Sequence, residues 1–455
     1  MQVNVAFIFV HDATSRVTTE EVRMQQHTPV AATATRSLAR TPWFPLVLIV
    51  SLFFLWGVAN NLNDVLVAQF KKAFTLSDFQ AGLVQSAFYL GYFLLAIPAG
   101  IFMRRFGYKA AVVFGLSLYG AGALLFWPAA ATATYETFLV GLFVIAAGLA
   151  FLETSANPWV TLLGPRESAA SRLNLAQAFN PLGSITGVLI GQHFIFTGVE
   201  RTPAELAAMD EVARATYMRN EAAAVQMPYL VIGLGVIAWA VIIVVTRFPR
   251  ATAGSDGSDA AERGVLSRLL RDGRFMSAVL AQFFYVGAQV AVFSYMIRYA
   301  QATMPGTADK VAANFITAGL LCFMAGRFAG AAIMKYLRPA RVLSTFALVN
   351  VILAGVAAFV PGRVGIYALV ASSFFMSIMY PTIFALGVEG RSDAERKLGA
   401  SLLVMSIVGG AVLTAAMGAT SDRIGIAHAM LVPMLCFVAI FLFAWRRAKG
   451  GERVA

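Results

Sequence analysis

The sequence predicts an all-α membrane protein of twelve transmembrane helices in two six-helix repeats, and three observations carry that prediction. Apolar residues make up 59% of the 455-residue chain and charged ones only 13%, against about 25% charged in ordinary soluble domains. Mean hydropathy is +0.73. Mostly apolar stretches of about 18 to 27 residues recur, each long enough for a hydrocarbon core of about 30 Å at about 1.5 Å per residue. Basic residues collect in alternate connections between them. No long period-2 alternation appears, which excludes an outer-membrane barrel.

In chain order, residues 1–42 are polar and Thr-rich and read as a disordered tail, with Met24 as an alternative start. The apolar run Val5 to Val10 is too short for a signal peptide. The expected spans are 44–70, 79–103, 110–128, 136–163, 173–196 and 227–247, then 275–300, 312–334, 342–360, 364–388, 398–420 and 426–446. The connection 197–226 mixes acidic and basic residues and predicts a short surface helix. The stretch 248–274 contains ATAGSDGSDAAERG, a flexible-linker composition, and divides a first body, 43–247, from a second, 275–447. Residues 448–455 form a short tail. Loops with Arg104, Arg105, Lys109, Arg166, Lys335, Arg338, Arg391 and Lys397 carry far more positive charge than those with Arg201, Lys310 or Arg363. Both termini are therefore expected in the cytoplasm.

The formal net charge of +12 is spread over loops and does not form the patch that nucleic acid requires. Cys322 and Cys436 lie in apolar segments without metal-ligand spacing. No phosphate-binding loop and no histidine set is present, so neither cofactor nor metal is expected, and ATP-driven pumping is disfavoured. Two intramembrane carboxylates stand out: Asp64 in FFLWGVANNLNDVLV and Glu153 in AAGLAFLETSANPWV. A charge at bilayer depth costs about 2.5 kcal/mol or more, so such residues mark ion pathways by default. A carboxyl in an apolar setting also holds its proton to higher pH than one in water, which permits reversible protonation. The bland reading is a carboxylate hydrogen-bonded to neighbouring helices. An intramembrane enzyme, a passive facilitator and a non-transporting sensor are rival functions, but no further catalytic set accompanies the carboxylates, a facilitator has no need of them, and no signalling domain is attached.

Shifting the first body by 223 residues lays Asn157 and Pro158 on Tyr380 and Pro381, and Gly164 on Gly387. Glu153 then faces Met376, and with small offsets Gln177, Asn180 and Asp64 face Leu402, Met405 and Phe293. A cavity polar on one wall and lined by Phe, Met and Tyr on the other suits a sugar, with hydroxyls on its rim and C–H groups on its face. Arg298, at the outer end of its span, is the sole cation considered for an anionic substrate, whereas Arg327 reads as a structural lock on carbonyls or a carboxylate. Gln177 and Asn180, three residues apart, either bind a ligand or join helices. Asn157 either binds a ligand or satisfies backbone freed by Pro158. Gln289 is a secondary ligand residue.

The segments NNLND, FTLSDFQAGLVQSAFYLGYF, LFWPAA, LETSANP, RLNLAQAFN, LAQFFYVGAQ and YPTIF, in that order over about residues 43–447, resemble the fucose–galactose–hexose:proton symporter branch of the major facilitator superfamily. The resemblance implies proton-coupled monosaccharide symport, with L-fucose the expected sugar and glucose, galactose or N-acetylglucosamine as alternatives. It implies Asp64 and Glu153 as proton-coupling residues, and Asn61, Gln177, Asn180 and Tyr380 as lining the sugar site. The chain departs from the branch at Met379 and Pro181, and from the general superfamily loop motif at Arg104. The partners expected are a monosaccharide, a proton and the lipid bilayer, with the protein a monomer.

Overall fold

The structure is a computed structural model and describes residues 43–73, 78–132, 134–195, 205, 208–248, 264–307 and 309–450. The tail 1–42 and most of the linker 248–274 lie outside the described residues. So do the side chains of Asp64 and Asn61.

Described elements are helical throughout. They begin with α1 (Trp43–Ala73), α2 (Asp78–Leu124), α3 (Phe126–Thr132), α4 (Tyr135–Leu162), α5 (Ala169–Gln177) and α6 (Phe179–Ile190). After them come α7 (Glu211–Ala223), α8 (Gln226–Val245), α9 (Val265–Arg271), α10 (Gly273–Thr303), α11 (Asp309–Ile333) and α12 (Pro339–Phe359). The chain continues through α13 (Arg363–Met376), α14 (Met379–Val388), α15 (Asp393–Met405), α16 (Gly409–Ile424), α17 (Ile426–Ala429) and α18 (Leu431–Gly450).

Among the described residues, nine helices are long and apolar enough to cross a membrane. One of them, Leu90–Thr132, contains Gly107, whose φ of 83° and ψ of 172° interrupt α2. A side chain rarely tolerates that backbone, and the interruption separates the second and third expected spans. The first span falls on α1 and the fifth on α5 with α6, so each expected span corresponds to a helix or a broken pair. The surface helix expected in 197–226 is α7, started by Asp210, whose Oδ1 accepts from the Ala213 amide at 2.7 Å.

Helices α2, α4 and α8 pack together, as do α1 and α6. The α1–α6 crossing is close because both helices put glycine there. A β-carbon at Gly57 would lie 2.0 Å from the Asn180 carbonyl oxygen, and one at Gly183 2.0 Å from that of Phe54. Later in the chain α10 packs on α16 and α18, and α13 on α11 and α12.

The helices before residue 248 meet those after 264 where α15 packs on α2 and α4, and where α5 packs on α11 and α14. Polar contacts fasten this end of the bundle. The Tyr108 phenol donates to Asp393 at 3.1 Å, and Asp393 is bridged by Lys397 at 2.5 Å. Ser171 donates to the Ala331 carbonyl at 2.8 Å, and Asn174 to Thr382 at 3.1 Å.

Asp272 joins the start of α10 to the α14–α15 loop. Its Oδ1 accepts from the Arg274 and Phe275 amides at 2.8 and 3.2 Å, and its Oδ2 pairs with Arg391 at 2.7 Å. Partial burial opposes ionisation, but the Arg391 hydrogen bond, the two amides and the Arg391 charge together hold this carboxyl below its ordinary range. A depressed carboxyl stabilises the fold above its unfolded value and loses that contribution as pH falls through the folded one. Thermal melting of the wild type should therefore decline below about pH 4, and Asp272→Asn should flatten that acid limb. Identical acid limbs in the two proteins would contradict the assignment.

Candidate substrate and proton site

The site is built around α4. Every residue from Ile145 to Thr161 is buried, so this helix has no lipid-facing side over that length and runs through the middle of the bundle. Glu153 is 1% exposed. Its Oε1 accepts from the Tyr380 phenol, and its Oε2 has no hydrogen-bond partner. Tyr380 is in the first turn of α14, which starts at Met379 after α13 stops at Met376, just ahead of Pro381. This hydrogen bond joins residues 227 apart, between helices that the repeat alignment matches to each other. The ring of Tyr380 is flanked by Phe384 at 6.4 Å and Tyr285 at 6.2 Å between centroids.

Beside this pair, Gln177 donates from Nε2 to Asn157 Oδ1 at 3.0 Å. Asn157 Nδ2 has no partner. The Asn157 side chain is thus engaged with a neighbouring helix and not with backbone released by Pro158. Gln177 and Asn180 reach different neighbours. Ala178, between α5 and α6, keeps helical dihedrals (φ −66°, ψ −20°) and donates to the Asn174 carbonyl at 3.0 Å, so the chain continues nearly as one helix into Pro181. Gln177 points to α4, whereas Asn180 donates to the Phe53 carbonyl of α1 at 3.3 Å.

Arg327 of α11 is 6% exposed and lies in the same layer. Its Nη1 donates to the Gln177 carbonyl and its Nε to the Ser377 carbonyl at 3.2 Å, with the guanidinium 4.8 Å from the Phe323 ring centroid. It therefore ties α5 to the α13–α14 break through carbonyls, as one of its two sequence readings anticipated. Arg298 is exposed and lies over Tyr295 at 5.4 Å, on the bundle surface.

Helix α10 carries polar groups beyond those that the repeat comparison picks out. Gln282, Tyr285 and Gln289 follow at intervals of three and four residues and so share a face. Gln282 and Tyr285 are 0% exposed. Neither Gln282 amide atom nor the Tyr285 phenol has a hydrogen-bond partner, and Gln289 is half-buried. The repeat alignment passed over Gln282 and Tyr285 because it compared only positions opposite the polar residues of the first body. The same three-four spacing, applied backwards from Gln289, would have found them.

The sequence pattern of the Major Facilitator Superfamily matches residues 48–407. The chain belongs to the Major Facilitator Superfamily. It is 48% identical over 415 residues to the L-fucose-proton symporter of Escherichia coli strain K12, covering 90% of this chain and 94% of that one. A glucose/galactose transporter of Brucella abortus is 34% identical over 408 residues, covering 90% and 95%. Among solved structures, that of the transporter FucP in the outward conformation matches with a TM-score of 0.83 at 48% identity, over 90% of this chain and 99% of that one. The twelve-span reading, the helical breaks at the fifth and tenth spans, and the buried layer between them therefore sit in a superfamily fold. Within it, Glu153, Asn157, Gln177 and Tyr380 are brought together. Asn180 is directed to α1, and Gln289 stands two turns beyond Gln282 along α10.

Proposed function

We propose that this protein is a proton-coupled symporter that carries L-fucose into the cytoplasm by alternating access. The carrying observation is the buried contact between Glu153 and Tyr380, a proton-binding group on one helix hydrogen-bonded to an aromatic group on another, with one carboxyl oxygen left without a partner. The similarity to the E. coli L-fucose-proton symporter supports the substrate. The 34% similarity to a glucose/galactose transporter makes those hexoses the second reading.

In this proposal two six-helix bodies, 43–247 and 275–447, rock about a site at their interface, as parallel repeats do. Both termini are cytoplasmic, the protein works as a monomer in the bacterial inner membrane, and the end fastened by Tyr108, Asp393 and Lys397 is the cytoplasmic gate. The conformation is then outward-facing. Asp64 takes up the proton from the periplasmic side, sugar binds against Asn61, Gln177, Tyr380 and Gln289, and Asn157 and Asn180 hold the surrounding helices. Tyr380 gives the sugar face an aromatic wall. Glu153 releases its proton when the cytoplasmic end opens.

Anaerobic, lightly buffered cells expressing the protein should alkalinise the medium when L-fucose is added. Alkalinisation with glucose or galactose and none with L-fucose would overturn the substrate. Asp64→Asn should abolish protonophore-sensitive uptake in vesicles, and full proton-driven uptake by that variant would remove Asp64 from the mechanism.

A further inference from the structure

We propose that Gln282 and Tyr285 form an inner sugar-contact position, used as the substrate leaves toward the cytoplasmic end; the proposal rests on the symport reading above. Gln282 carries an amide with donors and acceptors, and the Tyr285 phenol can donate and accept. Both side chains are 0% exposed, yet neither has a hydrogen-bond partner. Buried polar groups are ordinarily paired, and an unpaired one costs its desolvation. A helical bundle keeps such groups where another state of the protein supplies partners.

The position of the pair says which state that is. Gln282 stands nine residues after the start of α10 at Gly273, Glu153 nine before the end of α4 at Leu162, and Tyr380 eight before the end of α14 at Val388. The three Cα atoms therefore lie about 13 Å from the same end of the bundle, but side chains tilt toward the N-terminus of their helix, so Gln282 reaches toward this end and Glu153 and Tyr380 away from it. Tyr285 is beside Tyr380, and Gln282 is one turn nearer that end on the same face of α10. Gln289, two turns further out, is the half-buried member of the stripe. The polar face of α10 thus continues inward past the Glu153–Tyr380 contact, into the region closed by α5, α11, α14 and α15. Parting those helices would open it. A monosaccharide offers a dense set of hydroxyls that both donate and accept, and these match an amide and a phenol that lack partners in the closed state.

The test uses the full chain in membranes of defined orientation. Gln282→Leu should leave external L-fucose affinity within about twofold of wild type, while half-saturation for L-fucose presented at the cytoplasmic face rises about tenfold. Gln282→Asn should recover part of the loss. Tyr285→Phe, which removes a single oxygen, should raise the cytoplasmic half-saturation about threefold and decides the matter alone if Gln282→Leu fails to accumulate. Unchanged cytoplasmic half-saturation, or equal weakening at both faces, would overturn the inner position. Absence of L-fucose counterflow by the wild type would instead overturn the symport reading, and the inner position with it.

Discussion

Glu153→Gln should abolish concentrative uptake while sugar exchange continues. The substitution keeps the shape of the side chain and an oxygen that can accept from Tyr380, so the helix contact survives. What it removes is the exchangeable proton. One proton moving with each sugar through 100 mV supplies about 2.3 kcal/mol, which corresponds to an accumulation ratio of about 50. The wild type should approach that ratio under such a potential, and the variant should equilibrate at about one. Counterflow of labelled L-fucose between equal sugar pools needs no net proton movement and should persist in the variant. Protonophore-sensitive accumulation by Glu153→Gln would exclude Glu153 from coupling.

Arg327→Met should destabilise the protein and loosen its closed end. The guanidinium spans two carbonyls, of Gln177 on α5 and Ser377 at the α13–α14 break. Hydrogen bonds to a buried charged group contribute about 1.5–3 kcal/mol each. Methionine fills similar volume but leaves both acceptors bare at about 1–3 kcal/mol each, so a loss of about 2–6 kcal/mol is expected. Arg327→Lys should not rescue, because a compact ammonium lacks the planar fork that reaches both carbonyls. The measurements are thermal melting of the purified protein and the labelling rate of a cysteine introduced at Ser171, which lies at the fastened end. Melting unchanged from wild type, with equal labelling, would show that the two carbonyls do not need this residue.

Much of this architecture was legible from the sequence, for a local reason. Span length, loop charge and apolar content are properties of contiguous residues read against a slab of fixed thickness, so the spans and the burial of Glu153 could be inferred one segment at a time. The resemblance carried by NNLND, LETSANP and YPTIF agrees with the superfamily to which the chain belongs. What local reading does not reach is the choice of neighbour. Gln177 and Asn180 stand three residues apart, yet Gln177 reaches Asn157 on α4 and Asn180 the Phe53 carbonyl on α1. Repeat comparison places Met376, Leu402, Met405 and Phe293 opposite the polar positions of the first body. Gln282 and Tyr285, offset from those positions along α10, escaped it.

The sequence by itself determined that this is a membrane-spanning helical chain, that Glu153 lies within the bilayer, and that no metal or nucleotide site is signalled. Hydrophobic length and the cost of burying charge act residue by residue, independently of partners. Only the tertiary structure decided that Tyr380 meets Glu153, that Arg327 joins α5 to the broken tenth span through carbonyls, and that Gln282 and Tyr285 stand buried and unpaired beneath them. Those contacts depend on helix rotation, breaks and close glycine crossings. They are set by how distant segments pack, which no single segment encodes.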